Sequence, residues 1–327
     1  MVQIMQSIPV AIIILVIGFV FLIKGADLFV EGSSSVARKL KIPAIIIGLT
    51  IVAMGTSLPE TAVSVSASLQ GNNALAVSNV VGSNIFNLMV VIGVCAIMTG
   101  IPVDRSTNKR DFPISIVSAI VLLIMGTMSM VLGRIDGIVL LILFILYIFL
   151  TIRAVIDIRK QNEDDVLPAS LNETEEIKIL PVGRSILYIL IGIVGIVLGG
   201  DLVVQSATVI ATGIGISENL IGLTIVAVGT SLPELVTSIV AAKKKEVGLA
   251  LGNAIGSNIF NILMILGIAG TISPIEVITE NIIDIIILIV FSFIVWVIAM
   301  RKKSIKRGAG IFMVLCYLIY MVYICLR

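Results

Sequence analysis

The chain alternates between long apolar stretches and short polar loops. Runs of roughly 20 hydrophobic residues recur along its length, and a helix of that length crosses a bilayer. The runs are too long and too evenly apolar for the strands of a membrane β-barrel. We therefore predict an all-α membrane protein. Its ten transmembrane helices are expected over residues 8–31, 43–69, 73–99, 112–132, 135–156, 183–211, 218–242, 247–271, 281–300 and 308–326.

One segment of the chain occurs twice in nearly identical form. Residues 48–60 read GLTIVAMGTSLPE and residues 222–234 read GLTIVAVGTSLPE, while GSNIFN occurs at both 82–87 and 256–261. Five predicted spans separate equivalent positions, and because five is odd the copies cross the membrane in opposite directions. This is the inverted-repeat arrangement of secondary transporters, whose substrate site lies where the repeats meet. We predict two inverted five-helix repeats, 1–157 and 183–327, joined by a linker at 158–182.

The placement of charge predicts the orientation. Of the 22 lysines and arginines, 19 fall in every second loop, and positive charge is retained on the cytoplasmic side. The linker is then cytoplasmic and both termini are extracytoplasmic, in a multi-pass protein of the cell membrane. Residues 1–8 carry no positive charge, so a cleaved signal peptide is not expected. The acidic linker lacks the spacing and glycine of an EF-hand loop, which favours a solvated connection.

Composition narrows the chemistry. The chain contains no histidine, which excludes histidine-based zinc sites and Ser-His-Asp triads. Its three cysteines have no metal-ligand spacing. We expect a transporter rather than an enzyme, with no cofactor, no nucleic-acid partner and no obligate protein partner; the lipid bilayer is its environment.

The second span should be broken at membrane depth. Pro59 has no amide hydrogen to offer the carbonyl of Gly55, and irregular backbone is tolerated there only inside protein or beside a wet cavity. Freed carbonyls, the hydroxyls of Thr56 and Ser57 and the carboxylate of Glu60 then collect at one level. The second copy repeats this arrangement with Gly229, Thr230, Ser231, Pro233 and Glu234.

The third span adds a polar stripe, because Asn79, Ser83 and Asn87 are spaced four apart and share one helix face. The second copy has Asn253, Ser257 and Asn261. These hard oxygen donors suit Ca²⁺ or Na⁺ and do not suit zinc or copper. Two readings stay open: the stripes could be helix–helix contacts, and Asp27 and Asp201 could line an access path or sit at helix ends. Glycines 48, 93, 222 and 267 are better explained by packing.

GTSLPE and GSNIFN, each present twice, resemble the α-repeats of the calcium/cation antiporter superfamily in its sodium/calcium exchanger branch. The resemblance implies a ten-helix antiporter that exports Ca²⁺ against entering Na⁺, both ions being transported substrates. It also implies the ligands. These would be the carboxylates of Glu60 and Glu234, the hydroxyls of Thr56, Ser57, Thr230 and Ser231, the carbonyls of Ala53 and Ala227, and Ser83, Asn87, Ser257 and Asn261.

Three departures from related branches refine the expectation. The potassium-dependent branch usually has Asp where this chain has Asn261, which argues against potassium co-transport. Animal exchangers carry large regulatory domains between the halves, so the short linker suggests a prokaryotic form. The cation/proton branch carries a further Glu after its Gly-Asn motif, and here Gly252-Asn253 leads to Gly256-Ser257. A proton-driven Ca²⁺ antiporter is the main alternative; a channel and a structural membrane scaffold are weaker ones.

Overall fold

The structure is a computed structural model that describes residues 8–70, 74–164, 180–215 and 227–326. The described chain is helical apart from four strands of two residues each. The helices, numbered here in chain order, are α1 (Ile8–Leu40), α2 (Ala44–Thr56), α3 (Leu58–Leu69), α4 (Ala74–Phe86 continued to Thr99), α5 (Thr107–Ser129), α6 (Arg134–Asp164), α7 (Val182–Gly213), α8 (Ala227–Gly229), α9 (Leu232–Lys243), α10 (Val247–Ile272), α11 (Thr279–Lys302) and α12 (Arg307–Leu326).

Eight of the described helices are long and apolar enough to cross a membrane, and the bent pair α2–α3 raises the number to nine. The predicted span 218–242 lies partly outside the described residues, which begin again at 227. Ten spans therefore stay a prediction, whereas an all-helical, multi-pass architecture is confirmed. Several helices run beyond the predicted spans: α1 ends at Leu40, α5 begins at Thr107, and α6 continues past residue 157 to Asp164.

The centre of the molecule is formed by α4 and α10. In each, 78% of the most apolar window is buried, against 17% for α6. Both central helices contain a π-helical turn, at Asn87–Val91 in α4 and Asn261–Ile265 in α10. The two turns begin at equivalent asparagines of the repeated GSNIFN motif. Because π-turns inside α-helices frequently mark functional sites, they direct attention to this pair.

The long helices α1 and α7 pack together through glycines. A Cβ atom on Gly25 would lie 2.7 Å from the backbone nitrogen of Ile196, and one on Gly32 would lie 2.7 Å from the carbonyl oxygen of Ser185. Small residues are what permit backbones to approach this closely in a membrane. Position numbers rise along α1 as the contacted numbers fall along α7, so the two helices are antiparallel.

Two short ladders connect loops from the two halves of the chain. β1 (Ile101–Pro102) pairs antiparallel with β4 (Ser304–Ile305), and β2 (Val131–Leu132) pairs antiparallel with β3 (Ile275–Glu276). Ile101 and Ile275 are equivalent positions of the repeat. Each half thus contributes one strand to each ladder, which fixes the halves against one another at both ends.

Candidate cation site

The predicted break in the second span lies at Ser57. Helix α2 ends at Thr56, Ser57 leaves the helical conformation with φ −83° and ψ 14°, and α3 starts at Leu58 with Pro59 in its first turn. The two helices are bent by 49°. Gly55, just before the break, stays helical, and a Cβ atom there would lie 2.7 Å from the ring of Phe29, so close packing explains the glycine.

The second copy has the same break. Helix α8 ends at Gly229, Thr230 and Ser231 form a turn, and α9 begins at Leu232 with Pro233 in its first turn. Proline is compatible with a first helical turn because its missing amide hydrogen has no partner there. In both copies the proline therefore places a glutamate, Glu60 or Glu234, in the first turn of a new helix.

The two glutamates are fully buried and meet across the repeats. Ser57 of the first copy donates a hydrogen bond to Oε1 of Glu234 at 2.8 Å, and Ser231 of the second copy donates to Oε1 of Glu60 at 3.1 Å. The carboxylates are close enough for their charges to interact. Each serine lies three residues before the glutamate of its own copy but donates its hydrogen bond to the glutamate of the other copy. The two copies of the repeat therefore form one site.

Two asparagines of the stripe position the glutamates through the backbone. Asn79 donates to the carbonyl of Glu60 at 3.4 Å and to Ser64 at 3.0 Å. Asn253 makes the equivalent contacts, to the carbonyl of Glu234 at 3.3 Å and to Ser238 at 3.0 Å. The helix–helix interpretation of the stripe is thus correct for these two asparagines.

The serines of the stripe lie in the site, each beside the glutamate of its own copy. Ser83 lies 3.5 Å from Oε1 of Glu60, and Ser257 also lies 3.5 Å from the carbonyl oxygen of Ala53. The hydroxyl of Thr56 approaches Oδ1 of Asn253 at 3.0 Å as well as the carbonyl of Val52 at 3.1 Å.

Sequence reasoning missed Asn84 and Asn258 as structural residues of the site. Each donates its side-chain amide to the backbone carbonyl of the other, at 3.0 and 3.1 Å, and Asn261 donates to Oδ1 of Asn84 at 3.1 Å. The signal was available, because both are buried amides inside GSNIFN and differ by the repeat offset of 174. They tie α4 to α10 at the level of the π-turns.

Several buried oxygens of the predicted ligands have no hydrogen-bond partner among the described residues. They are Oε2 of Glu60, Oε2 of Glu234, Oγ1 of Thr230, Oδ1 of Asn87 and Oδ1 of Asn261. An unpartnered polar atom away from water is unfavourable by about 1–3 kcal/mol, more for a charged group. A set of such oxygens with two carboxylates fits a desolvated cation. Ala227 is the first residue of α8.

Asp27 and Asp201 do not belong to this cluster. Both lie inside long helices, α1 and α7, so a helix-end role is wrong for either. Asp27 forms an ion pair with Lys244 at 2.7 Å, and Asp201 accepts a hydrogen bond from Gln205 at 2.7 Å. No group of three or more histidine, cysteine or acidic residues with metal-binding geometry occurs in the described ranges. Apart from the two glutamates, the oxygens of the predicted ligands come from hydroxyl, amide and carbonyl groups, which hard cations also accept.

A bundle of membrane-length helices around two buried carboxylates and neutral oxygens defines a class of protein: a multi-pass membrane transporter for cations, not an enzyme. The chain belongs to the sodium/calcium exchanger branch of the calcium/cation antiporters, since the family model described as "Sodium/calcium exchanger protein" matches residues 10–153 and 184–326. Exchange of cations, Ca²⁺ among them, is the activity of that class.

Individual proteins are similar over almost the whole chain. A putative antiporter, CaxA of Alkalimonas amylolytica, is 43% identical over 81% of this chain and 82% of its own. The sodium/calcium exchanger MaX1 of Methanosarcina acetivorans is 32% identical over 96% of this chain and 98% of its own. A solved structure of the sodium-calcium exchanger NCX_Mj, soaked with Na⁺ and Sr²⁺, has a TM-score of 0.82 and 33% identity, covering 97% of this chain and 99% of that one.

Proposed function

We propose that this protein exchanges Ca²⁺ for Na⁺ across the cell membrane by alternating access. The observation that carries the proposal is the crossed pair Ser57–Glu234 and Ser231–Glu60, which joins both copies of the repeat around two buried carboxylates. Each carboxylate uses Oε1 for the serine and leaves Oε2 without a partner in the described chain. Relatives named as sodium/calcium exchangers support the choice of ions.

The proposed ligands are all oxygen donors. Ca²⁺ takes 6–8 oxygens at about 2.3–2.6 Å, and Na⁺ uses the same kind of donor. We assign this role to the carboxylates of Glu60 and Glu234, the oxygens of Thr56, Ser57, Thr230, Ser231, Ser83, Asn87, Ser257 and Asn261, and the carbonyls of Ala53 and Ala227. Two carboxylates balance one Ca²⁺, so the loaded site carries little net charge within the apolar helices.

Competition for the same oxygens explains the coupling. When Na⁺ occupies the carboxylates Ca²⁺ is displaced, and the reverse holds as well. A buried pair of acids without a cation is unfavourable at low dielectric, so the protein should not switch sides without its ions. Exchange rather than net leakage follows from this restriction.

The same proposal includes the membrane arrangement. Ten spans form two inverted five-helix repeats, 1–157 and 183–327, with a cytoplasmic linker at 158–182 and both termini outside. The antiparallel packing of α1 against its equivalent α7 supports inversion. The basic loops support the orientation, because positive charge stays in the cytoplasm. Alternating access then requires one group of helices to move against the central helices around the site.

The test is ⁴⁵Ca²⁺ flux in proteoliposomes with Na⁺, K⁺ and H⁺ gradients imposed separately. We expect uptake driven by an outward Na⁺ gradient at constant pH and without K⁺. Uptake driven by a pH gradient without Na⁺ would instead establish the proton-driven antiporter. Flux without any counter-ion would indicate a channel, and no flux under any gradient would leave a structural scaffold.

A further inference from the structure

A second pocket lies at the ends of two membrane helices and shares no lining residue with the cation site. It has a volume of about 550 Å³ between the start of α5 and the end of α11. Arg105, Lys109 and Lys303 line it together with Asn108, Trp296 and Met300. We refer to these six residues as the basic pocket. Its size falls in the range of pockets that bind small molecules or headgroups, about 300–1,000 Å³.

The ladder β1–β4 brings the two walls of the basic pocket together. Besides the strand pairing, the amide of Val103 donates to the carbonyl of Lys303 at 3.1 Å. Lys303 has a left-handed backbone with φ 51°, which ends α11 and starts the return to β4. The indole of Trp296 donates to the carbonyl of Asn108 at 2.8 Å. The pocket is thus built by contacts between the halves of the chain.

The three cations of the basic pocket are not neutralised by the protein. Arg105, Lys109 and Lys303 are exposed, and within the described chain none of them forms an ion pair. The nearby Asp111 forms an ion pair with Arg110 at 2.7 Å and so does not offset the charge of the pocket. Asp104, next to Arg105 in the sequence, adds one negative charge against the three positive charges of the pocket. Oδ1 of Asn108 is buried without a partner among the described residues. Three cations with an unused polar oxygen suit a phosphodiester that carries a hydroxylated headgroup.

The location of the basic pocket near the ends of membrane helices indicates that the phosphodiester belongs to a lipid. Below the cations, Trp296 and Met300 belong to the apolar surface of α11, and tryptophan is enriched at membrane interfaces. Basic pockets between transmembrane helices on the cytoplasmic side bind the headgroups of anionic lipids. Both basic loops that form the pocket are cytoplasmic in the proposed orientation. We infer that the basic pocket binds the phosphodiester headgroup of an anionic phospholipid, such as phosphatidylglycerol.

Trp296 provides the measurement, because it is the only tryptophan in the chain. The full-length protein is reconstituted in phosphatidylcholine vesicles containing increasing fractions of phosphatidylglycerol with brominated acyl chains, which quench tryptophan fluorescence on contact. Brominated phosphatidylcholine gives the reference. We expect phosphatidylglycerol to be preferred at Trp296 by at least about fivefold, since each basic residue near the surface contributes that factor.

The variants test the assignment of residues. Lys303→Asn alone should reduce the preference for phosphatidylglycerol about fivefold, and Arg105→Gln with Lys109→Gln, which removes two basic residues, should reduce it further. Asparagine tolerates the left-handed backbone at position 303, so this variant should fold. Lys39→Gln, at an exposed basic loop residue outside the pocket, is the matched control and should leave the preference unchanged.

Three results would overturn the inference: equal quenching by both brominated lipids, an equal loss in the Lys39→Gln control, or release of quenching by excess inorganic phosphate. The last result would show a site for free phosphate. Fluorescence requires no transport, so this test is independent of the proposed exchange activity.

Discussion

The two copies of the repeat contribute to one site, but equivalent residues of α4 and α10 differ in exposure and contacts within the described chain. Leu75, near the start of α4, is 46% exposed, while its equivalent Leu249 in α10 is 0% exposed. A Cβ atom on Gly82 would meet nothing within 4 Å in the described chain, whereas one on the equivalent Gly256 would lie 2.7 Å from the backbone of Leu49. Within the described residues, the second copy is thus packed against α2 and the first copy is not; residues 216–226, the repeat equivalents of 42–52, lie outside the described residues.

Ion pairs outside the repeated motifs also differ between the copies. Beside the second copy, Lys244 pairs with Asp27 and Arg38 pairs with Glu246 at 2.6 Å, which ties α1 to the turn between α9 and α10. At the equivalent position to Lys244 the first copy has Gln70, and Asp201 takes the place of Asp27. The proposed ligands are thus shared by the two copies, whereas these ion-pairing residues are not.

The largest expected effect comes from the residues that the two copies share. Glu60→Gln and Glu234→Gln should each reduce Na⁺-dependent ⁴⁵Ca²⁺ uptake at least about 100-fold, because one carboxylate cannot balance a desolvated divalent ion. The purified variants should fold, since the substitution removes one of two adjacent buried acids. Ca²⁺ raises the melting temperature of a protein that binds it, and this increase should be absent in both.

Asp201→Asn is the matched control, as it neutralises an exposed carboxylate inside another membrane helix. It should retain uptake. Full activity of either glutamate variant would refute the assignment of that residue as a ligand.

The second prediction measures the difference in accessibility directly. In a background in which Cys95, Cys316 and Cys325 are replaced, Leu75→Cys and Leu249→Cys place one thiol at each of two equivalent positions. A charged, membrane-impermeant thiol reagent should modify the first at least about tenfold faster, because Leu75 is half-exposed and Leu249 is fully buried. Equal rates would contradict the described asymmetry, and modification of neither would show that Leu75 faces lipid.

The third prediction compares the two glycines of GSNIFN. Gly256→Ala should destabilise the protein by about 1–3 kcal/mol, since its methyl group would overlap the backbone of Leu49. Gly82→Ala should change the melting temperature little. Both are measured by thermal unfolding in detergent; a comparable loss in the two variants would show that the first copy is packed as tightly as the second.

The smallest effect is expected for the ion pair that distinguishes the copies. The pair Lys244–Asp27 is partly exposed, and such pairs contribute up to about 1 kcal/mol. Lys244→Gln should therefore increase the modification rate of Leu249→Cys by up to about fivefold. Gln70→Lys, which offers a cation toward Asp201, should lower the rate at Leu75→Cys. If neither rate changes, the Lys244–Asp27 ion pair does not contribute to the burial of Leu249.

Much of the fold followed from the sequence because apolar length and proline position are local properties. The runs of hydrophobic residues placed the described helices, and Pro59 and Pro233 located the breaks that put both glutamates at the start of a helix. Helix ends were less predictable. Helix α1 continues to Leu40 and α5 starts at Thr107, so both include polar residues outside the predicted spans. Hydropathy indicates which residues prefer lipid, whereas a helix ends where its backbone hydrogen bonds end.

By itself, the sequence determined the chemistry of this protein: which residues are oxygen donors, that they occur twice, and that histidine takes no part. Only the tertiary structure decided which donors meet, since the serine of one copy serves the glutamate of the other and Asn84 binds Asn258. It also decided which of two equivalent leucines, Leu75 and Leu249, is buried. The reason is physical: two identical motifs have identical local preferences, and only contacts between distant segments can make their surroundings differ.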